Sequence, residues 1–197
     1  EVDVTRLEEI KPDLIVTQDQ CEVCAVSRAE VEATLTEVLS QSTRIVSLTA
    51  KDITGIWNDI KRTAEAIGII SSGIDIVRSL RQRIDNLKKE TSKIKGRPKV
   101  ACIEWTSPLM VAGNWVPEIV SAAGGENLFG VTGTHSPYLS WVDLIDAKPD
   151  IIIAMPCGFD LSRTRDEIVP LTALPDWPRL PAVQSDAVYI TDGNQYF

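Results

Sequence analysis

The chain has 197 residues, enough for one large or two small domains, and its hydrophobic share of 44% can fill a sizeable core. A net charge of −8 with no basic stripe excludes a phosphate-binding surface, so nucleic acid is not an expected partner. No apolar run approaches the roughly 18 residues needed to cross a bilayer. Residue 1 is Glu, so the sequence reads as a processed or excised piece, and a missing signal segment says nothing about export.

The first element is a short helix, with Val4, Leu7 and Ile10 at helical spacing and a stop at Pro12. "PDLIVTQ" is a short apolar run consistent with a buried strand. "SRAEVEATLTEVL" places Val31, Leu35 and Val38 on one helical face, with Ser27 as N-cap. "RIVSLTA" reads as a second strand. Thr49 and Asp52 have the spacing of a capping box before a helix with Ile53, Ile56, Trp57, Ile60 and Ala64 on its apolar face.

The longest helical pattern runs from about Ser72 to Lys95. Val77, Leu80, Ile84 and Leu87 form its apolar stripe, and Gly96 and Pro98 stop it. Such a helix is about 35 Å long. It is either a surface helix packed on one lobe or a rigid strut joining two. Beyond it the alternation resumes. "PKVACIEW" is a strand, "PEIVSAAGG" a helix with Pro117 in its first turn, "SWVDLIDA" a helix and "DIIIAMP" a strand. "RTRDEIVPLTAL" is a helix interrupted at Pro170, and "DAVYITDG" is the last strand. This alternation predicts α/β layers with mostly parallel sheets. "IKPDLIV" and "AKPDIII" suggest one αβ unit used on each side of the strut.

Four cysteines are present: Cys21, Cys24, Cys102 and Cys157. Cys102 sits in an apolar strand pattern, where a thiol serves as a small core residue. "TQDQCEVCAVS" places Cys21 and Cys24 at a strand-to-helix turn. A CxxC there is compatible with a thiol–disulfide oxidoreductase, since a helix N-terminus lowers a thiol pKa. Glu22 between the cysteines works against that acidity. Half a zinc site is a further reading, but it needs two more ligands. The remaining reading is a pocket-wall loop carrying a local disulfide or two thiols near a ligand.

These stretches together resemble the substrate-binding proteins of ABC importers for cobalamin and ferric siderophores, whose two lobes are joined by one long helix. The resemblance runs through "VDVTRLEEIKPDLIVTQDQCEVCAVS", the long helix, "EWTSPLMVAGNWVPEIVSAAGGENLFG", "SWVDLIDAKPDIIIAMPCGFDLSRT" and "DAVYITDGNQYF". "QCEVCAVS", "AGNWVPE" and "MPCGFD" point to the cobalamin-binding branch. The resemblance implies two Rossmann-like lobes: a partial N-terminal lobe over 1–71, the linking helix over 72–96 and a C-terminal lobe over 97–197. It also implies a strand–helix–strand block before residue 1 and a helix after residue 197. The implied protein is periplasmic or membrane-anchored outside the cell and performs no catalysis. It captures a corrinoid between its lobes, closes only slightly on binding, and delivers the ligand to a membrane permease.

In α/β lobes, ligands meet the loops at the carboxyl ends of the strands. Three such loops are legible, and with the resemblance they name Cys21, Glu22, Cys24, Trp105, Asn114, Trp115, Cys157 and Phe159 as candidate ligand contacts. Indole faces pack on a flat macrocycle, and the Asn114 amide matches its polar arms. Each tryptophan also has the plainer reading of core packing. Asp160 and Arg163 read as local capping or pairing residues. His135 is the only histidine; ordinarily it would be solvated, but an imidazole can also occupy an axial position on cobalt or iron. The resemblance implies permease docking through Glu30 in the first lobe and Asp143 in the second. Val142 stands where the family often has an acid, which leaves Asp143 alone there. No resident cofactor is expected; cobalamin would be the ligand. Alternatives are a ferric siderophore or haem on the same fold, the thiol oxidoreductase, and a lobe fragment that dimerises through its incomplete sheet.

Overall fold

The computed structural model describes residues 3–18 and 43–195. The chain divides into two compact units, Glu1–Gln82 and Arg83–Phe197.

In the first unit, α1 (Val4–Ile10) starts at Asp3, whose carboxylate accepts the Arg6 N–H at 3.0 Å. It ends at Lys11, a left-handed residue with φ of 48° whose N–H returns to the Leu7 carbonyl, and Pro12 bars continuation. The strands β1 (Leu14–Gln18) and β2 (Arg44–Leu48) pair in parallel, Leu14 opposite Arg44 and Gln18 opposite Leu48. The helix expected over "SRAEVEATLTEVL" lies outside the described residues.

The helix α2 (Ile53–Ala66) corrects the capping expectation. Asp52 itself is the N-cap, accepting the Gly55 N–H at 2.6 Å. Thr49 is instead tied down from inside the helix. Its N–H and that of Ala50 both donate to Asp59 Oδ2 at 2.9 Å, while Arg62 donates to Asp59 Oδ1. Asp59 is buried, and these donors satisfy it.

The long helix α3 (Ile70–Thr91) has 22 residues, about 33 Å at 1.5 Å per residue. It starts two residues earlier than the pattern predicts and ends four residues sooner. Beyond Thr91 the backbone tightens: Lys93 N–H bonds to Glu90 O and Ile94 N–H to Thr91 O, i to i−3. The Thr91 hydroxyl lies 3.0 Å from both Leu87 O and Ala122 O, which pins this end to the neighbouring helix.

In the second unit, five strands form one sheet: β3 (Lys99–Thr106), β4 (Leu109–Val111), β5 (Glu126–Asn127), β6 (Ile151–Ala154) and β7 (Val188–Ile190). The order is β4-β3-β6-β7, with β5 also paired to β3. The β3–β5, β3–β6 and β6–β7 pairs are parallel; only β3–β4 is antiparallel. The architecture is therefore mixed α/β with mostly parallel pairing.

Alternate residues of the strands serve two apolar layers. Ala101, Ile103, Ile152 and Ala154 join Leu144, Leu171, Trp177 and Leu180 on one face. Val100, Cys102 and Met155 join Ala112, Val116 and Val120 on the other. The covering helices are α4 (Val116–Ala122), α5 (Trp141–Ala147), α6 (Leu161–Glu167), α7 (Val169–Thr172) and α8 (Pro181–Gln184). Pro170 splits the expected single helix into α6 and α7 by sitting in the first turn of α7, where its missing N–H costs nothing. The strands β4 and β5, the short 3₁₀ turn Trp177–Arg179 and α8 have no counterpart in the sequence reading.

Candidate functional site

Because β3, β6 and β7 are parallel, their carboxyl ends share one rim of the second unit. The loops leaving that rim carry most of the candidate residues. Trp105 stands near the end of β3, and Phe159 follows β6 in the turn before α6. Their rings are 5.1 Å apart at 56°, a tilted aromatic pair of the kind worth about 0.5–1.5 kcal/mol beyond area burial. Arg163, in the first turns of α6, places its guanidinium carbon 3.5 Å from the centre of the Phe159 ring. Phe159 is only 6% exposed, whereas Trp105 is half-buried. Phe159 therefore acts mainly as the platform under Trp105 and Arg163, and these two present the accessible surface.

Asp160 is the N-cap of α6, accepting the Arg163 N–H at 2.8 Å, as its sequence position suggests. Arg163 does more than pair locally. Beside a 3.8 Å contact to Glu167 it brings a cation to the rim, which the sequence reading missed. The i, i+4 spacing from Phe159 was the available signal, once a helix is allowed to start at Asp160. The β6 and β7 loops are locked together at Gly193. Its N–H donates to Phe159 O at 2.7 Å, and a Cβ there would overlap the Pro156 carbonyl. Cys157 lies half-buried in this turn.

On the other side of Trp105, β3 and β4 form a hairpin with a bulge. Ile103 faces Val111 and Trp105 faces Met110, so Glu104 is the extra residue. Its carboxylate accepts the Ser136 hydroxyl, and Ser136 Oγ in turn accepts the Gly113 N–H at 3.0 Å. Burial pushes the Glu104 carboxyl above its ordinary range, opposed by the Ser136 hydrogen bond and by nearby His135. Gly113 has no room for a side chain, because a Cβ would overlap the Thr134 carbonyl. Asn114 adopts φ of 50°, and its N–H donates to Thr134 O at 2.7 Å while its carbonyl accepts from Gly133 at 3.1 Å. Trp115 opens α4 and packs half-buried against the Val100–Cys102 layer, so part of its ring is core. His135 is exposed, with Nδ1 3.0 Å from Ser136 O.

A cavity of about 430 Å³ opens at the β7 end of the rim, lined by Leu161, Ile190, Thr191, Asp192 and Gln195. A second, of about 560 Å³, lies at the opposite end of β3, among Lys88, Thr91, Arg97, Glu118 and Ser121. It holds none of the candidate residues. Asp143 is exposed in the first turn of α5, where its carboxylate accepts the Ser140 hydroxyl at 2.6 Å and its N–H donates to Ser140 Oγ at 3.1 Å. Val142 beside it is 64% exposed. Cys21, Glu22, Cys24 and Glu30 lie outside the described residues. Cys102 is a buried thiol whose pKa is pushed up to about 12 by burial, so it is chemically quiet. Among the described residues, no three His, Cys, Asp or Glu side chains gather as a metal site.

The comparisons with known proteins agree with this architecture. The family model described as periplasmic binding protein matches residues 1–195. No curated protein matches. Among solved structures, an ABC transporter substrate-binding protein from Listeria monocytogenes superposes with a TM-score of 0.78 at 20% identity, over 99% of this chain and 73% of that one. Staphylococcus aureus IsdE complexed with haem gives 0.76 at 18% identity, over 96% and 71%. The vitamin B12-binding protein BtuF of Vibrio cholerae gives 0.65 at 18% identity, over 96% and 69%. The thiol oxidoreductase alternative finds no support in these matches, which are to binding proteins. The family's description is of periplasmic proteins. With sheet order, rim and matched span in accord, the chain belongs to the periplasmic binding protein family.

Proposed function

We propose that the chain captures a corrinoid and hands it to an importer permease. The observation that carries this reading is the aromatic rim: Trp105 braced on Phe159, with Trp115 and Asn114 in the loop across the hairpin. A broad apolar face with a few amide and hydroxyl groups suits a large macrocycle bearing amide side arms. Cys21, Glu22, Cys24 and Cys157 are further candidate contacts on the strength of the sequence pattern. Glu30 and Asp143 are the candidate docking residues for the permease; Asp143 is exposed as docking requires.

A second reading has its own support. Arg163 over Phe159 offers a cation to a carboxylate-bearing ligand, so haem or a ferric siderophore is the rival cargo. Titration with cyanocobalamin and, separately, with haemin decides between them, following tryptophan quenching and the ligand's visible spectrum. The corrinoid reading expects saturable quenching by cyanocobalamin, weakened in Trp105→Ala. Saturation by haemin alone, weakened in Arg163→Ala, would replace it with the anionic reading. A cyanocobalamin spectral shift lost in His135→Ala would mean coordination of cobalt.

A further inference from the structure

The hairpin that carries Trp105 and the loop that carries Asn114 and Trp115 are joined by one relay of side-chain hydrogen bonds. Glu104 sits in the β3 bulge, turned onto the face where Gly113 and Ser136 meet. Ser136 is 4% exposed, so its hydroxyl is shielded from bulk solvent. It donates to Glu104 and accepts from Gly113 N–H. The contact is tight because Gly113 lacks a Cβ, which lets the Thr134–Ser136 backbone press against it. Two backbone bonds extend the contact on either side of Asn114, from its N–H to Thr134 O and from Gly133 N–H to its carbonyl. Farther along, Val111 N–H bonds to Pro137 O and Leu139 N–H to Leu109 O, so segment 134–139 runs beside β4.

Resting on the ligand-capture reading above, we infer that Glu104 is a positioning residue: through Ser136 it holds the 112–116 loop and the 133–136 loop in the geometry that receives the ligand. A half-buried carboxylate with a single side-chain donor is a costly way to stabilise a fold, since burial disfavours its charge. Its return is a fixed course for the two loops that carry Asn114, Trp115 and His135. Rotamer and loop ordering that is settled before binding does not have to be supplied by the ligand.

The test compares Ser136→Ala, Glu104→Met and Glu104→Gln in the full chain, with cyanocobalamin and haemin as probes. The first removes the middle of the relay and the second its acidic end. Gln keeps an oxygen that accepts from Ser136. The expected result is a Kd about tenfold weaker, or more, in Ser136→Ala and Glu104→Met, with most of the affinity recovered in Glu104→Gln. Amide hydrogen exchange of the ligand-free protein supplies the second readout. The relay predicts faster exchange at Gly113 and Asn114 in the first two variants, with the amides of α4 unchanged. Equal weakening in Glu104→Gln and Glu104→Met would overturn the relay in favour of the charge itself. Unchanged exchange at Gly113 would overturn it whatever the binding shows. Failure of both probes to bind the parent protein would instead sink the cargo reading, and the exchange readout would then decide the relay alone.

Discussion

Asp59 and Glu104 show what a single carboxylate can do and how little of it is visible in sequence. Asp59 lies seven residues into its helix pattern, where an acid ordinarily faces water; it is buried because Thr49 N–H, Ala50 N–H and Arg62 converge on it. Nothing in the local pattern announces a partner ten residues upstream. Glu104 was equally hidden, reading as one polar residue in an apolar strand until the bulge turned it toward Ser136. Trp105, Asn114 and Trp115 stand out in the sequence as candidates because they are aromatic and amide side chains in post-strand loops; the structure adds that Trp115 also packs on the core. Phe159 is a candidate from its loop alone, but its buried position under Trp105 and Arg163 depends on where those two lie. Glu104 also carries a pH prediction. Burial raises its pKa in the folded chain, so its contribution to stability is complete below the ordinary carboxylate range and is lost as pH rises through the folded value. Glu104→Gln, which has no charge to bury, is expected to melt above the parent protein at pH 7.5. That advantage should shrink as pH falls toward the carboxylate range. Thermal melts of both proteins across pH check the sign; an advantage that grows on acidification would contradict it.

At the scale of elements, strands and helices with strong periodicity were placed within a few residues, and punctuation decided the rest. Pro12 and Pro170 act where they were expected to, one ending α1 and the other separating α6 from α7. The end of α3 was misjudged because the Ser92–Lys95 stretch keeps helical composition; what stops the helix is a contact from Thr91 to Ala122, thirty-one residues away. The hairpin strand β4 escaped notice because three residues are too few to show a period of two. Helix packing gives the prediction at this level. Gly73 in α3 sits against Ala64 of α2 so closely that a Cβ would overlap the Ala64 methyl. Alanine is the better helix former by about 1 kcal/mol. Overpacking costs about 1–3 kcal/mol, so the clash should prevail and Gly73→Ala should lower stability. Urea unfolding followed by circular dichroism measures it, and a stabilised variant would show that the two helices part without cost.

For the molecule as a whole, the family was readable because its motifs are spread along the entire chain, and the matched span of residues 1–195 agrees. The cargo was less readable, since neighbours described as binding haem and vitamin B12 share this architecture at 18% identity. On the capture reading proposed above, specificity belongs to a few rim side chains, while the layers beneath answer to packing. Those layers are unequal. On one face of β3 and β6, Ala101, Ile103, Ile152 and Ala154 are at 0% exposure, and on the other Val100 and Cys102 are buried and Ile151 and Ile153 half-buried, whereas Val16 of β1 is 46% exposed. Hydrogen exchange should therefore be slowest at residues 101–103 and 152–154 and clearly faster along β1. Comparable protection in β1 would mean that its second face is covered in solution.

One side of β3 is shared by two short partners. Lys99 and Val100 run parallel to β5, and the stretch from Ile103 to Thr106 folds back antiparallel on β4. The base of the strand is thus anchored independently of its tip. Extra residues spliced into the turn at Ser107–Pro108 would lengthen the hairpin and leave the Lys99–Val100 pairing with β5 undisturbed. The tip of this hairpin can therefore vary in length while the pairing at its base, and the lobe built on it, stay as they are.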